Sequence, residues 1–280
     1  MAALTIRPPA VSGTFYPSDP TILTYQIDRM LDAHPDTSID GRILALVCPH
    51  AGYAYSGSTA AAAYALLRGR SIRRAVIIAP SHREYFNGMS VYDGDAYRTP
   101  IGLVDIDAEL RAQLLEHRGV FIKSQFGHRD EHAIEVQLPF LQRVLDDVAI
   151  VPIVMGDQRS EHCVLLGSVL AGLLAHDDTI LIASSDLSHM LPDAEARRTD
   201  CIVADDIRAL APGRLLDDLA HHRTEACGGG PIVAVLHAAA QQKATSAVIL
   251  DQCTSGDITG ERHSVVGYLS AVVTRSGDQV

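Results

Sequence analysis

Short, continuous apolar segments rich in β-branched residues recur along the chain, and each is followed by turn residues. Continuous apolar runs are typical of strands that are buried on both faces of a sheet. The predicted strands cover residues 43–48, 75–79, 148–154, 179–183 and 247–250, and a last strand over 264–274 is expected to end the sheet. Helical patterns lie between them, over residues 21–33, 58–67, 107–116, 131–145, 163–174, 194–210 and 231–242. This alternation predicts an α/β fold with a mostly parallel central sheet and helices on both faces.

The length of 280 residues suits either one large domain or two small ones. The chain has no internal repeat, no low-complexity stretch and no linker rich in proline or serine. We therefore expect a single domain over residues 1–280.

Charge and hydropathy exclude several classes of partner. The net charge is −11 and no basic cluster is present, which argues against binding to nucleic acids or to anionic membranes. No apolar run approaches the roughly 18 to 20 residues that cross a bilayer, and the N-terminus has no signal-peptide pattern. A cytoplasmic protein is expected.

The five cysteines are scattered and lack CxxC spacing, so neither a disulfide framework nor a thiolate-only zinc site is indicated.

Histidines follow three of the predicted strands. His50 comes directly after Pro49, His82 follows Pro80-Ser81, and His189 follows a strand together with Asp186. Carboxyl ends of parallel strands share one edge, where ligands bind, so these side chains are expected to converge. Neutral imidazole is the commonest nitrogen ligand of first-row metals. A single histidine in such a turn is more often structural, but the pair His50 and His82 favours a metal site.

Cys227 stands before three glycines and Pro231, at the start of a helical pattern. Pro231 suits a first helical turn, and Gly228 to Gly230 allow backbone N–H groups to form an anion cradle. The dipole of the helix favours a thiolate at Cys227, which binds metal or acts as a nucleophile. The alternative is a flexible glycine loop in which the cysteine is incidental.

Two further pairs carry candidate acid–base groups. His132 and Glu135 are three residues apart in a predicted helix, on one face, so they either support a site or form a surface hydrogen-bonded pair. Asp186 and His189 lie at the expected ligand edge, where they suit acid–base work or orientation of a ligand. Capping of a following helix by Asp186 is the competing interpretation.

Motifs spread over nearly the whole chain resemble the Memo family, whose prokaryotic members are called AmmeMemoRadiSam system protein B. They occupy residues 7–17, 49–53, 55–57, 80–82, 97–100, 130–135, 138–139, 184–186, 189 and 227–228. The resemblance implies the LigB-like fold of class III extradiol dioxygenases. It implies metal ligands at His50, His82 and Cys227, and further pocket residues at Asp186, His189 and His132, which we expect to be catalytic.

This resemblance also bears on the chemistry. Extradiol dioxygenases hold ferrous iron with two histidines and a carboxylate, whereas Cys227 would replace the carboxylate here. We expect a divalent metal, iron first and copper or zinc as alternatives, in an oxidoreductase of unknown substrate. The implied partners are a small-molecule or peptide ligand, a radical-SAM protein and an AMMECR-type protein. Two other functions stay open: a metal-free enzyme with Cys227 as nucleophile, and a peptide-binding module without catalysis.

Overall fold

The computed structural model describes residues 4–34, 39–117 and 120–277. Its strands are β1 (Ile6–Arg7), β2 (Arg42–Cys48), β3 (Arg74–Pro80), β4 (Met89–Tyr92), β5 (Ala96–Thr99), β6 (Gly102–Asp105), β7 (Phe121–Ser124), β8 (Ala149–Met155), β9 (Thr179–Ser184), β10 (His189–Leu191), β11 (Ser246–Thr254) and β12 (Val265–Arg275). Its α-helices are α1 (Pro20–Asp32), α2 (Tyr53–Tyr64), α3 (Ala108–Leu115), α4 (Leu138–Val144), α5 (Ser160–Leu173), α6 (Asp193–Arg208), α7 (Pro212–Ala220), α8 (Gly229–Gln241) and α9 (Ser255–Thr259). Short 3₁₀ turns cover Ala65–Leu67 and Glu135–Gln137.

The main sheet has the strand order β10-β12-β2-β9-β3-β8-β4-β7, with β11 paired to β12 beside β10. Its four central strands, β2, β9, β3 and β8, are parallel to one another. Antiparallel pairing joins β12 to β2 and β4 to β8, so the sheet is mixed with a parallel centre. The carboxyl ends of β2, β9 and β3 therefore share one edge, as predicted.

Helices cover both faces of this sheet because side chains along each central strand alternate between two cores. Leu46 and Ile77 pack on the face covered by α1, α2 and α4, where they join Leu23 of α1. Val76 packs on the opposite face with Leu166 of α5 and with residues of α6 and α8. The predicted α/β class is confirmed. No helix in the described ranges is long and apolar enough to span a membrane. The extent of the domain, residues 1–280, stays a prediction.

Three sequence-based expectations differ from the structure. The predicted helix over 131–145 begins only at the 3₁₀ turn of Glu135–Gln137 and continues as α4, because Pro139 suits a first helical turn rather than an interior one. His132 and Glu135 therefore do not share a helix face. Strand β12 lies inside the sheet, paired on one side with β2 and on the other with β10 and β11. No apolar run or helical pattern in the sequence predicts the short strands β4 to β7 or the helix α7.

A small second sheet ties the N-terminus to the rest of the chain. Its order is β1-β5-β6, with β1 parallel to β5 and β6 antiparallel to it. Arg7, in the two-residue strand β1, is almost fully buried. This placement brings the N-terminal segment, residues 7–16, next to the loop that precedes α4.

Candidate metal centre

Three histidines converge at the carboxyl edge of the sheet. His50 follows β2, His82 follows β3, and His132 lies in the loop before α4. One ring nitrogen from each lies within 4.8 Å of the others. The ring centroids are 5.1 Å apart for His50 and His82, 5.3 Å for His50 and His132, and 4.7 Å for His82 and His132. This three-histidine cluster could hold one metal ion.

Ser184 fixes the protonation of His50. The Ser184 hydroxyl donates to the carbonyl of Ala133 at 2.7 Å and accepts a hydrogen bond from Gln137 Nε2 at 2.8 Å. Its hydrogen is thus used, so the contact of 2.9 Å with His50 Nδ1 requires that the imidazole donates. Burial, followed by the charge of His82, lowers the pKa of His50 to about 3. His50 is therefore neutral, with a lone pair on Nε2.

Glu131 orients the ring of His82. Its carboxylate accepts the backbone N–H of His82 at 2.6 Å and lies 2.9 Å from His82 Nδ1. Burial raises the pKa of Glu131, but the hydrogen bonds from His82 and from the Ala133 amide outweigh it and lower the pKa to about 2. An ionised carboxylate that accepts Nδ1–H leaves Nε2 free, the arrangement that orients histidines at metal sites.

His132 is held mainly by packing. Its ring lies 4.9 Å from the ring of Phe15, and burial followed by the charge of His50 lowers its pKa to about 4. Its Nδ1 is 3.3 Å from Glu131 Oε1, but it forms no hydrogen bond with any of the described residues. A buried ring nitrogen without a partner fits a metal ligand.

Cys227 lies beside His50. Its Sγ is 3.1 Å from His50 Nε2 and accepts the backbone N–H of Asp186 at 3.2 Å. The structure thus brings the three predicted ligands His50, His82 and Cys227 to one edge, and it adds His132 as a neighbour of both imidazoles. The assignment of Cys227 as a ligand stays a prediction.

Asp186 and His189 follow β9, as expected. The buried Asp186 carboxylate accepts the backbone N–H of His50 at 2.7 Å, and burial raises its pKa. The helix α6 starts after Pro192, so capping of a helix by Asp186 is wrong; the carboxylate orders the His50 turn instead. His189 is exposed, and its backbone N–H donates to Glu225 Oε1 at 2.6 Å. The catalytic roles of Asp186, His189 and His132 stay predictions.

The glycines after Cys227 do not form an anion cradle. Gly228 N–H donates to Ser185 Oγ at 2.9 Å, Gly229 N–H to the Ala226 carbonyl at 3.0 Å, and Gly230 N–H to Gln158 Oε1 at 2.7 Å. These amides are all used inside the protein, so the predicted anion cradle is wrong. The glycines serve close packing.

The state of the Cys227 thiol also differs from the expectation. Burial, and then the charge of Asp186, raise the pKa of Cys227 despite its position before α8. Desolvation outweighs the helix dipole, so the thiol stays protonated in the absence of a metal. Both findings count against a metal-free cysteine nucleophile.

Two residues that orient the histidines were missed in the sequence. Ser184 ends β9, and Glu131 precedes His132, and each lies inside one of the Memo-like motifs. Their roles depend on His50 and His82, which are 134 and 49 residues away along the chain. No local pattern signals such contacts.

Comparisons with known proteins agree with this fold. A family model described as Memo-like protein matches residues 7–272. A MEMO1 family protein of Aquifex aeolicus is 36% identical over 270 residues, which cover 96% of this chain and 99% of the relative. A MEMO1 family protein of Methanocaldococcus jannaschii is 38% identical over 284 aligned residues, with 96% and 99% covered. The crystal structure of an uncharacterized protein from Escherichia coli K12 has a TM-score of 0.53 at 15% identity, covering 84% of this chain and all of the other, and it supports the fold alone. From the family model and these full-length relatives, the chain belongs to the Memo-like family.

Proposed function

We propose that this Memo-like chain is a metal-dependent oxidoreductase, related to dioxygenases in its mode of metal binding, with one divalent ion at the carboxyl edge of the sheet. The observation that supports this most is the convergence of one ring nitrogen from each of three histidines within 4.8 Å of one another. Neutral imidazole suits iron, copper and zinc, and three protein ligands leave coordination positions for a substrate. We propose iron first, with copper or zinc as alternatives.

The residues present fit such an ion. Ser184 and Glu131 contact Nδ1 of His50 and of His82 and orient the two rings, and the buried Nδ1 of His132 has no hydrogen-bond partner among the described residues. Burial lowers the pKa of His50 to about 3 and that of His132 to about 4, so these two rings bind a metal at pH 7 without first losing a proton. When bound, a divalent ion supplies a Lewis acid, and iron or copper supplies a redox centre as well.

The neighbouring groups have distinct proposed roles. Cys227 is a further donor beside His50, and a soft thiolate would favour iron, copper or zinc over harder cations. Asp186 holds the backbone of His50 in place. His189, which is exposed at the same edge, is the group that exchanges protons with a bound substrate.

The surroundings of the protein belong to this proposal too. We propose that it works in the cytoplasm on a small-molecule or peptide ligand, beside a radical-SAM protein and an AMMECR-type protein. The absence of a basic cluster from a chain of net charge −11 supports a partner other than a nucleic acid.

The test is elemental analysis of protein purified without oxygen and without added metal. We expect about one metal ion per chain in the wild type and a loss of most of it in His50→Ala. His176→Ala is the matched control, because His176 is exposed at the opposite edge of the sheet, before β9. No stoichiometric metal in the wild type, or unchanged metal in His50→Ala, would contradict the proposal.

A further inference from the structure

The N-terminal segment, residues 7–16, is gathered around one buried carboxylate. Glu135 is fully buried and accepts the backbone N–H groups of Ala10 at 2.7 Å and of Val11 at 3.0 Å. It also accepts the hydroxyl of Tyr16 and forms an ion pair with Arg7. Its two oxygens thus bind four donors, which all come from this segment.

Arg7 extends this connection to the ligand loop, defined here as residues 128–135. Its Nε donates to the carbonyl of His128 at 2.7 Å, and its Nη2 donates to the carbonyl of Glu131. Its Nη1 reaches Glu135. One planar guanidinium therefore binds the ligand loop at its beginning, its middle and its end.

The ligand loop carries two groups of the candidate metal centre. Glu131, whose carbonyl accepts from Arg7, orients His82 through its side chain. His132 is the next residue, and its ring packs 4.9 Å from Phe15 of the N-terminal segment. A shift of this loop would displace one ring of the cluster and release the orientation of another.

We propose that the Arg7–Glu135 pair is the positioning device of the metal centre: it locks the N-terminal segment onto the ligand loop and so sets where Glu131 and His132 stand. This inference rests on the proposed metal function. Arg7 and Glu135 are positioning residues, since neither touches the three-histidine cluster through its own polar atoms.

The Arg7–Glu135 pair matters mainly for the position of the ligand loop, and less for the stability of the fold. A buried ion pair loses in desolvation much of what it gains in attraction, so apolar packing would stabilise the fold about as well. The rigid fork of a guanidinium binds several acceptors in fixed directions, whereas a lysine ammonium is a point charge on a flexible stem. Arg7→Lys thus keeps the charge opposite Glu135 and loses the simultaneous contacts to His128 and Glu131.

The experiment compares Arg7→Lys with wild type and with Arg42→Lys. Arg42 likewise donates to a backbone carbonyl, that of His176 at 2.6 Å, and to a carboxylate, Asp177 at 2.7 Å, but at the opposite edge of the sheet. Co²⁺ is titrated into each apoprotein, and its visible absorption spectrum gives both the Kd and the ligand geometry. Hydrogen–deuterium exchange of the apoproteins gives the mobility of the ligand loop.

For Arg7→Lys we expect Co²⁺ to bind at least about tenfold more weakly and to show an altered spectrum. A tenfold loss of affinity is the scale known for groups that orient metal ligands. We also expect faster amide exchange confined to the ligand loop and the N-terminal segment. Arg42→Lys should match the wild type in all three. Tyr16→Phe, which removes one hydrogen bond to Glu135 and leaves the ion pair, should change each readout in the same direction by a smaller factor.

The outcomes separate this inference from the proposed function. A wild type that binds no Co²⁺ overturns the metal centre, and the inference with it. A wild type that binds, together with Arg7→Lys that binds within about twofold and exchanges its loop amides at the same rate, overturns the positioning role alone.

Discussion

Asp200 allows a direct test of how burial controls charge next to the candidate site. This residue of α6 is 1% exposed, and its Oδ1 accepts the backbone N–H of Ser188 at 3.0 Å. Burial raises the pKa of Asp200 from 3.8 to about 6, although the hydrogen bonds from Ser188 oppose this. The charge of Glu225 raises the pKa further, and that of His189 lowers it. Asp200 therefore holds its proton more tightly in the folded protein than in the unfolded chain.

The sign and size of the effect follow from linkage. Below about pH 4 both the folded and the unfolded chain carry the proton, and Asp200 has no effect on the pH dependence. Between about pH 4 and pH 6 the unfolded chain releases its proton first, so the free energy of unfolding falls as the pH rises. Above about pH 6 the loss is complete, and a shift of roughly two pKa units corresponds to about 3 kcal/mol.

Asp200→Asn removes this loss while keeping a side-chain oxygen for Ser188. Urea unfolding of both proteins at several values between about pH 4 and pH 7.5 should show the difference in unfolding free energy moving in favour of Asp200→Asn by about 3 kcal/mol. Asp105→Asn, at an exposed position of β6, is the control and should show no such trend. A difference between Asp200→Asn and wild type that stays constant across this range would refute the reasoning.

Three more predictions concern the site. Glu131→Gln should weaken metal binding about 10- to 100-fold, measured by calorimetric titration, because it weakens the orientation of His82. Gly228→Ala should lower the free energy of unfolding by about 1 to 3 kcal/mol in urea, since its Cβ would lie 2.2 Å from a backbone carbonyl oxygen. Iodoacetamide should label the exposed Cys201 of metal-free protein well before Cys227, because burial raises the pKa of Cys227. Peptide mass spectrometry measures the two labelling rates, and faster labelling of Cys227 would support the nucleophile hypothesis.

The central strands could be predicted because their short, continuous apolar sequences are typical of strands buried on both faces. The predicted runs 43–48 and 75–79 differ from β2 and β3 by one residue at an end or at both ends, since a strand buried on both faces must be apolar throughout. The edge strands lack that signal. Strand β7, with burial only at Phe121, has four residues and reads as loop until its partner β4 is known.

Part of the candidate site could likewise be predicted from the sequence, and part of it could not. His50 and His82 follow strands of one parallel sheet, so topology alone placed them at one edge. His132 follows no strand of the sheet, so topology does not predict its position. Its ring packs against Phe15 of the N-terminal segment, and its position depends on contacts between residues more than 100 positions apart, such as that between Arg7 and Glu131. The glycines after Cys227 illustrate the reverse error: a composition suited to anion binding serves close packing instead.

Proton release distinguishes the two candidates for the third ligand, His132 and Cys227. The imidazoles of His50 and His132 are already neutral near pH 7, since burial lowers their pKa values to about 3 and about 4. The Cys227 thiol has a raised pKa and must give up its proton to bind. Metal binding at pH 7 should therefore release about one proton more if Cys227 joins the ligands than if three imidazoles alone bind. Calorimetric titration in buffers of different ionisation enthalpy counts these protons, and Cys227→Ser supplies the reference: if wild type and Cys227→Ser release the same number, Cys227 is not bound as a thiolate, and the ligand set implied by the family resemblance does not hold for this chain.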